Sequence, residues 1–550
     1  MLKYKNKEYQ PIINTYTKKS MKDYFKKLLL LLAFYSLTGL NLQATNYYTF
    51  SSGDWNVPGI WTTDPTGLTS VSPAIPGAAD AAFIINNKVV TNTVVARTVT
   101  ATFIQSNATL DLGVLPGNNL GTVTGAGLIK ISATSFPAGN FAAFVSATGG
   151  TIEYYDVTGN LPVVATYNNL IVSNSTGAAN TCVFTNPSNP TNYTLNGDLT
   201  LNNTGGGSLQ VTLGNAATNI INFVVNKNVT LSAGITFNAG NFNAIHQLEV
   251  FRNFTNNGLV QFSNSAQFTA AVNGAVNLKF SGLTGAVLAC NSNTNLYTLI
   301  VNKGIDAGTS LQVTSALSGN LQLFTNGDAV QLLIGTLRLN VNNTITRVNG
   351  GTIFQIPSTS RLWVDGASVL INGSANGIQV DGEFKISSGT FSIGNEGLLV
   401  GLSGLISIDG GTSTVEKIRP IVSGGAQAGT FAMTSGVFNV DGSTTGTGNS
   451  DFPRFCLPYS GQGFFMSGGT LNIANPETGT AVDGGLLLGC SNFNVTNGTI
   501  NLTIPASSAN FTLNSSVPLF NVNINKAGAG SGKLILQNQV IGAGISLSSP

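Results

Sequence analysis

The sequence predicts an all-β fold, a parallel β-helix or closely related β-solenoid with a capping segment at its N-terminal end. Three observations carry that prediction. One phrase, a glycine and a small residue followed by apolar residues at every second position, returns through the second half of the chain. It stands at Gly335-Thr336-Leu337-Arg338-Leu339, Gly351-Thr352-Ile353-Phe354-Gln355-Ile356, Gly389-Thr390-Phe391-Ser392-Ile393, Gly436-Val437-Phe438-Asn439-Val440, Gly469-Thr470-Leu471-Asn472-Ile473 and Gly498-Thr499-Ile500-Asn501-Leu502. Alternation with period two marks a strand with one buried face, and the leading glycine supplies the backbone freedom of a corner. A second phrase, an apolar residue before Asp-Gly, recurs at Val364-Asp365-Gly366, Val380-Asp381-Gly382, Ile408-Asp409-Gly410, Val440-Asp441-Gly442 and Val482-Asp483-Gly484, and Asp-Gly is a turn signal. The third observation is composition. Charged residues are 8% of the 550 and hydrophobic residues 42%, with 65 glycines. Against a norm of ~25% charge, the deficit is filled by Asn, Thr and Ser, which suits a β surface solvated by amides and hydroxyls rather than a disordered chain. Units of ~15–40 residues that bury their apolar faces only by stacking on their neighbours make a solenoid.

In chain order, residues 1–20 are polar and basic without periodicity and read as a start extension that is not native. Residues 21–44 read as a signal peptide. Lys22, Lys26 and Lys27 form its positive region, Leu28 to Leu37 its apolar run, and Leu42-Gln43-Ala44 its cleavage site. The run is shorter than the ~20 apolar residues of a membrane span, so no transmembrane segment is expected after signal removal. The mature chain then begins near Thr45, outside the cytoplasm. Residues 45–95 form the cap segment, with Trp55 and Trp61 either plugging the first open coil or offering a sugar platform. Residues 96–330 read as irregular solenoid repeats and 331–550 as regular ones, ending shortly after a fresh repeat phrase begins, either as a fragment or as an open end that another segment would cover. A longer phrase recurs at Tyr167–Val172, Tyr297–Lys303 and Phe520–Lys526, which argues for duplicated units rather than unrelated domains.

The Trp-containing opening Gly53-Asp54-Trp55…Pro58-Gly59-Ile60-Trp61, the run Pro76-Gly77…Asp80…Ile84…Val89 and the aromatic-Asn-Leu-x-Val phrases resemble secreted repeat proteins of the Bacteroidetes type. The resemblance covers most of residues 45–550. It implies a large protein at the cell surface, associated with the outer membrane, folded as a right-handed parallel β-helix and exported by type IX secretion. The sorting domain that many such proteins carry is not recognisable here.

Function is bounded more by exclusion. A net charge of +2 with sparse Lys and Arg gives no nucleic-acid groove. His246 is the single histidine, which leaves a nucleophilic triad without its usual base and favours a satisfied strand histidine. Cys182, Cys290, Cys456 and Cys490 lack CxxC spacing; they read as buried thiols, with a Cys456–Cys490 bridge between neighbouring coils as the sharper alternative. No cofactor is expected, calcium being the one ion the Asp-Gly series leaves open. The densest charged patch comes from two strands. Arg361, Trp363 and Asp365 share one face; Asp381, Glu383 and Lys385 share another. An offset of 20 would set Arg361 over Asp381, Trp363 over Glu383 and Asp365 over Lys385. Carboxylates beside Trp suit a glycan, and opposite charges on adjacent strands also simply pair. The leading expectation is a secreted or cell-surface, adhesin-like scaffold without enzymatic activity. The alternative is a carbohydrate-binding or polysaccharide-degrading β-helix, with extracellular polysaccharide or cell-surface components as partners.

Overall fold

The computed structural model describes residues 22–29, 44–69, 74–216, 219–263, 274–315, 321–323, 329–346, 353–372, 377–393, 397–421, 426–441, 452–476, 484–507 and 510–537. The start extension at 1–20, the cleavage motif at Leu42-Gln43, Gly351-Thr352, Gly442, Val482-Asp483 and the chain end at 538–550 lie outside the described residues.

The chain is an all-β solenoid. Every strand pair among the described residues is parallel except Asn46–Thr49 with Trp61–Thr62. Successive coils place one strand on the equivalent strand of the next, so each backbone ladder continues into its neighbour. Through residues 169–323 each coil contributes three short strands. Asn169–Asn174, Asn180–Phe184 and Thr191–Leu195 lie on Leu199–Asn203, Leu209–Leu213 and Ile221–Val225. The expected alternation appears as inward residues buried at every second position, as in Ile221, Phe223 and Val225. The step along the ladder is uneven there: Leu199 faces Val229, Val229 faces Phe254, and Phe254 faces Leu288.

At Gly335 the architecture changes. Strand Val330–Leu339 pairs with Thr298–Lys303 through its first half and with Ser310–Ser315 through its second. Two faces of the coil are thereby joined by one bent strand. The bend needs glycine: Gly335 has φ +95°, and a Cβ there would lie 2.4 Å from the Lys303 carbonyl oxygen. Lys303 itself is buried at this corner, its ammonium donating to the Phe251 carbonyl at 3.0 Å and to the Ser281 carbonyl. Burial pulls its pKa down to about 8, with Arg252 adding to the shift.

From there each coil is one long bent strand and one short strand. The long strands are Ser360–Asn372, Glu383–Ser392, Leu405–Val415, Thr430–Val440, Gly463–Ala474 and Asn492–Ile504. The short ones, from Phe354–Ile356 to Leu534–Gln537, form a separate parallel sheet. Inward ladders make the core. Leu337, Leu362, Phe384, Ile406, Phe431 and Phe464 stack in register and are fully buried. The Phe431 and Phe464 rings lie parallel, 5.8 Å apart. On the outer face Asn439, Asn472, Asn501 and Asn523 form an amide ladder, each donating to the one before at 2.7, 2.7 and 3.0 Å.

At the N-terminal end the antiparallel strand Trp61–Thr62 sits at the edge of a six-stranded sheet. Trp55 and Trp61 are fully buried, with ring centroids 5.0 Å apart and the Trp61 indole N–H donating to the Trp55 carbonyl at 3.0 Å. Neither ring offers a face to solvent. The four cysteines are buried and unbridged. Cys456 stands opposite Leu487, not Cys490, so the bridge between coils is not made. No described helix is long and apolar enough to cross a membrane.

Candidate functional site

The charged patch is built by three outward positions on successive long strands. In Val330–Leu339, Ser360–Asn372 and Glu383–Ser392 the even pattern that turns Leu337, Leu362 and Phe384 inward turns Arg338, Trp363 and Lys385 outward. Arg361 and Glu383 lie one rung to the side.

The register corrects the expected pairing. Arg361 stands opposite Glu383, and Trp363 opposite Lys385, a step of 22 rather than 20. The physical reason is Asp381-Gly382. These two residues make the turn between strands Ile378–Val380 and Glu383–Ser392, so the long strand begins only at Glu383. Asp381 does not share the face of Glu383 and Lys385. Its carboxylate instead accepts the side-chain amides of Gln355 at 2.7 Å and Gln379 at 2.5 Å.

Every charge of the patch except Asp381 has an opposite partner on a neighbouring coil. Arg361 pairs with Glu383, Lys385 with Asp409 at 2.7 Å, and Asp365 with Arg338 rather than with Lys385. The Asp365 carboxylate also accepts the Ser387 and Ser388 hydroxyls at 2.9 and 3.2 Å. Partial burial raises the Asp365 carboxyl, but the bonds from Arg338, Ser387 and Ser388 outweigh it and hold it below the usual carboxylate range. Trp363 is half-buried and held from both flanking strands. Its indole N–H donates to Ser387 Oγ at 2.6 Å. The Arg338 guanidinium lies 4.4 Å from its ring centroid and the Lys385 ammonium 5.4 Å, from the two flanking strands. The aromatic at the centre of the patch therefore faces cations instead of a carboxylate, and both neighbouring coils occupy it.

Arg338, Ser387, Ser388 and Asp409 complete this network and were absent from the sequence expectation. Arg338 was legible as the outward residue of the Gly335 phrase. Asp409 was read as turn chemistry, with calcium ligation the alternative, yet it reaches back one coil to Lys385. Among the described residues no three His, Cys, Asp or Glu side chains gather as a metal ion would require.

His246 is buried in strand Ile245–Val250. Its Nδ1 accepts the Ile221 N–H at 3.0 Å, which fixes the proton on Nε2. Burial lowers its pKa to about 4, against a smaller raising effect from the Ala239 and Leu213 carbonyls. It is a wall residue far from the patch in sequence and in its own ladder. A polar groove with about 390 Å³ of free space lies along three coils, lined by Asp198, Thr200, Asn228, Thr230, Asn253 and Thr255. Its rungs are tied to one another: Asp198 accepts the Asn228 side-chain amide at 2.9 Å, and Asn228 accepts the Asn253 backbone N–H at 3.2 Å.

No protein-family model, no curated protein and no solved structure matches the chain.

Proposed function

We propose that the chain is a non-enzymatic, extracellular β-solenoid scaffold, displayed at the cell surface in the manner of the secreted Bacteroidetes repeat proteins it resembles. The observation that carries this reading is the mutual pairing of the patch. Arg338, Arg361, Glu383, Asp365, Lys385 and Asp409 answer one another across coils, which ties strands together and leaves no carboxylate pair free for acid–base work. The continuous ladders, the amide surface and the leader pattern at Met21–Ala44 agree with a stiff stalk that works outside the cell. Polysaccharide binding at the same patch would compete with these pairs and with the cations that lie over Trp363.

The test is display and length. Expressed with its leader in a bacterium with an outer membrane, the chain is expected to become accessible to protease added to intact cells. Cell adhesion is expected to weaken when whole coils are deleted and to survive Trp363→Ala with Glu383→Gln. Adhesion abolished by those two substitutions in a folded protein would replace the scaffold reading with a glycan site.

A further inference from the structure

The described fold begins at Ala44, which is exposed, and strand Asn46–Thr49 follows at once. Thr45 is held on both sides of its peptide unit. Its carbonyl accepts the Ala81 N–H at 3.0 Å, and its nitrogen donates to Asp80 Oδ1 at 3.0 Å. The other carboxylate oxygen of Asp80 accepts the Gly77 N–H at 2.8 Å, and the Asp80 carbonyl accepts both the N–H and the hydroxyl of Thr100. One carboxylate oxygen is thus fixed by the Pro76-Gly77…Asp80 turn, and the other is aimed at the Thr45 nitrogen. Among the described residues no lysine or arginine pairs with it. Residues 22–29, by contrast, are exposed along their whole length and bury nothing against the solenoid.

We propose that Asp80 is the acceptor for a new chain terminus, the α-ammonium of Thr45 released when a processing peptidase hydrolyses the Ala44–Thr45 bond. This rests on the secreted reading above. In the hydrolysis water gives its hydroxyl to the Ala44 carbonyl carbon, and the Thr45 nitrogen leaves as an amine that is protonated at neutral pH. That nitrogen is already at hydrogen-bond distance from the Asp80 carboxylate. Cleavage therefore changes a neutral amide donor into a charged one without moving the strand, and charge-assisted bonds are about twice as strong as neutral ones. The consequence is directional. Processing tightens strand Asn46–Thr49 onto Ala81–Ile84, and with it the edge strand Trp61–Thr62 that pairs with it. The leader-bearing chain folds its coils with a looser first one.

The test uses the full chain, exported and leader-retained. Terminal sequencing of the exported form is expected to give Thr45 first. Asp80→Asn keeps an acceptor for a neutral N–H and removes the charge. It is expected to lower the thermal midpoint of the exported form by a few degrees more than that of the leader-retained form. An equal shift in both forms would mean that Asp80 only shapes its turn, and would overturn the inference while leaving secretion intact. A chain that stays in the cytoplasm with its leader would instead overturn the secreted reading beneath it. If Asp80→Asn does not fold, labelling of the Thr45 amine decides. In the exported native chain it is expected to react several-fold more slowly with an acylating reagent than the terminus of a chain begun two residues earlier, and equal rates would overturn the pairing.

Discussion

Three kinds of buried or half-buried ionisable group sit in this charge-poor chain, and their magnitudes separate them. His246 is neutral in the folded wall, with its pKa lowered from 6.5 to about 4 by burial. A base whose folded pKa is depressed binds its proton more readily in the unfolded chain. Its contribution is therefore complete above pH 6.5 and is lost as pH falls toward 4. The span corresponds to about 3 kcal/mol. Denaturant melts between pH 7 and 4 are expected to show that loss, and His246→Gln is expected to flatten it; a variant with the native pH slope would place the titration elsewhere. The Glu416–Arg454 pair, at 3.1 Å with side chains 6 and 10% exposed, is of the second kind. Arg454→Met removes this ion pair and the bond from Arg454 to the Asn475 carbonyl together, and is expected to cost about 3–5 kcal/mol. The outward pairs are the third kind. Arg361→Ala or Lys385→Ala is expected to cost only ~0.2–1 kcal/mol each, read as a small shift in the urea midpoint. The patch is stabilising by repetition along the stack, not by any one pair.

Elements repeat what the residues permit. The corner glycines were readable from the phrase alone, and the structure places Gly436 at φ +82° with a Cβ that would come within 2.6 Å of the preceding coil's backbone. Gly436→Ala is expected to destabilise by ~1–3 kcal/mol, whereas Gly177→Ala, in open space, is expected to stay within ~0.5 kcal/mol. Equal midpoints for the two variants would contradict the corner argument. Alternation was also legible, since each strand carries its own inward and outward positions. Register was not. Whether Asp381 belongs to a strand or a turn changes the step from 20 to 22, and only the neighbouring coil decides that. The longer phrase at Tyr167–Val172 and Tyr297–Lys303 marks a repeated unit without marking its face. It places Asn169–Asn174 and Thr298–Lys303 on different ladders, because it encodes a strand and its corner rather than a particular face. The three-strand coils of residues 169–323 were hidden by their loops, whose lengths differ from coil to coil. The Arg338–Asp365 link needed two coils in register before it could be seen.

The whole molecule is a one-dimensional stack, so its stability is carried by contacts between neighbouring coils. Deleting residues 383–404 removes one complete coil, because Glu383 faces Arg361 on one side and Leu405 on the other. That chain is expected to fold, with β-type circular dichroism and a cooperative melt. Deleting 383–403 instead slips the register by one and turns Ile406 and Ile408 outward, and this chain is expected to aggregate. The account's central claim is that the outward charged patch is consumed in holding coils together. The measurement that meets it most directly is a glycan-array screen of the chain from Thr45 onward, with and without calcium, beside the Trp363→Ala/Glu383→Gln variant. The account predicts no saccharide retained by either protein under either condition. A saccharide bound by the native chain and lost by the variant would contradict it, and would make the ladder of Arg361, Trp363, Glu383 and Lys385 a recognition surface.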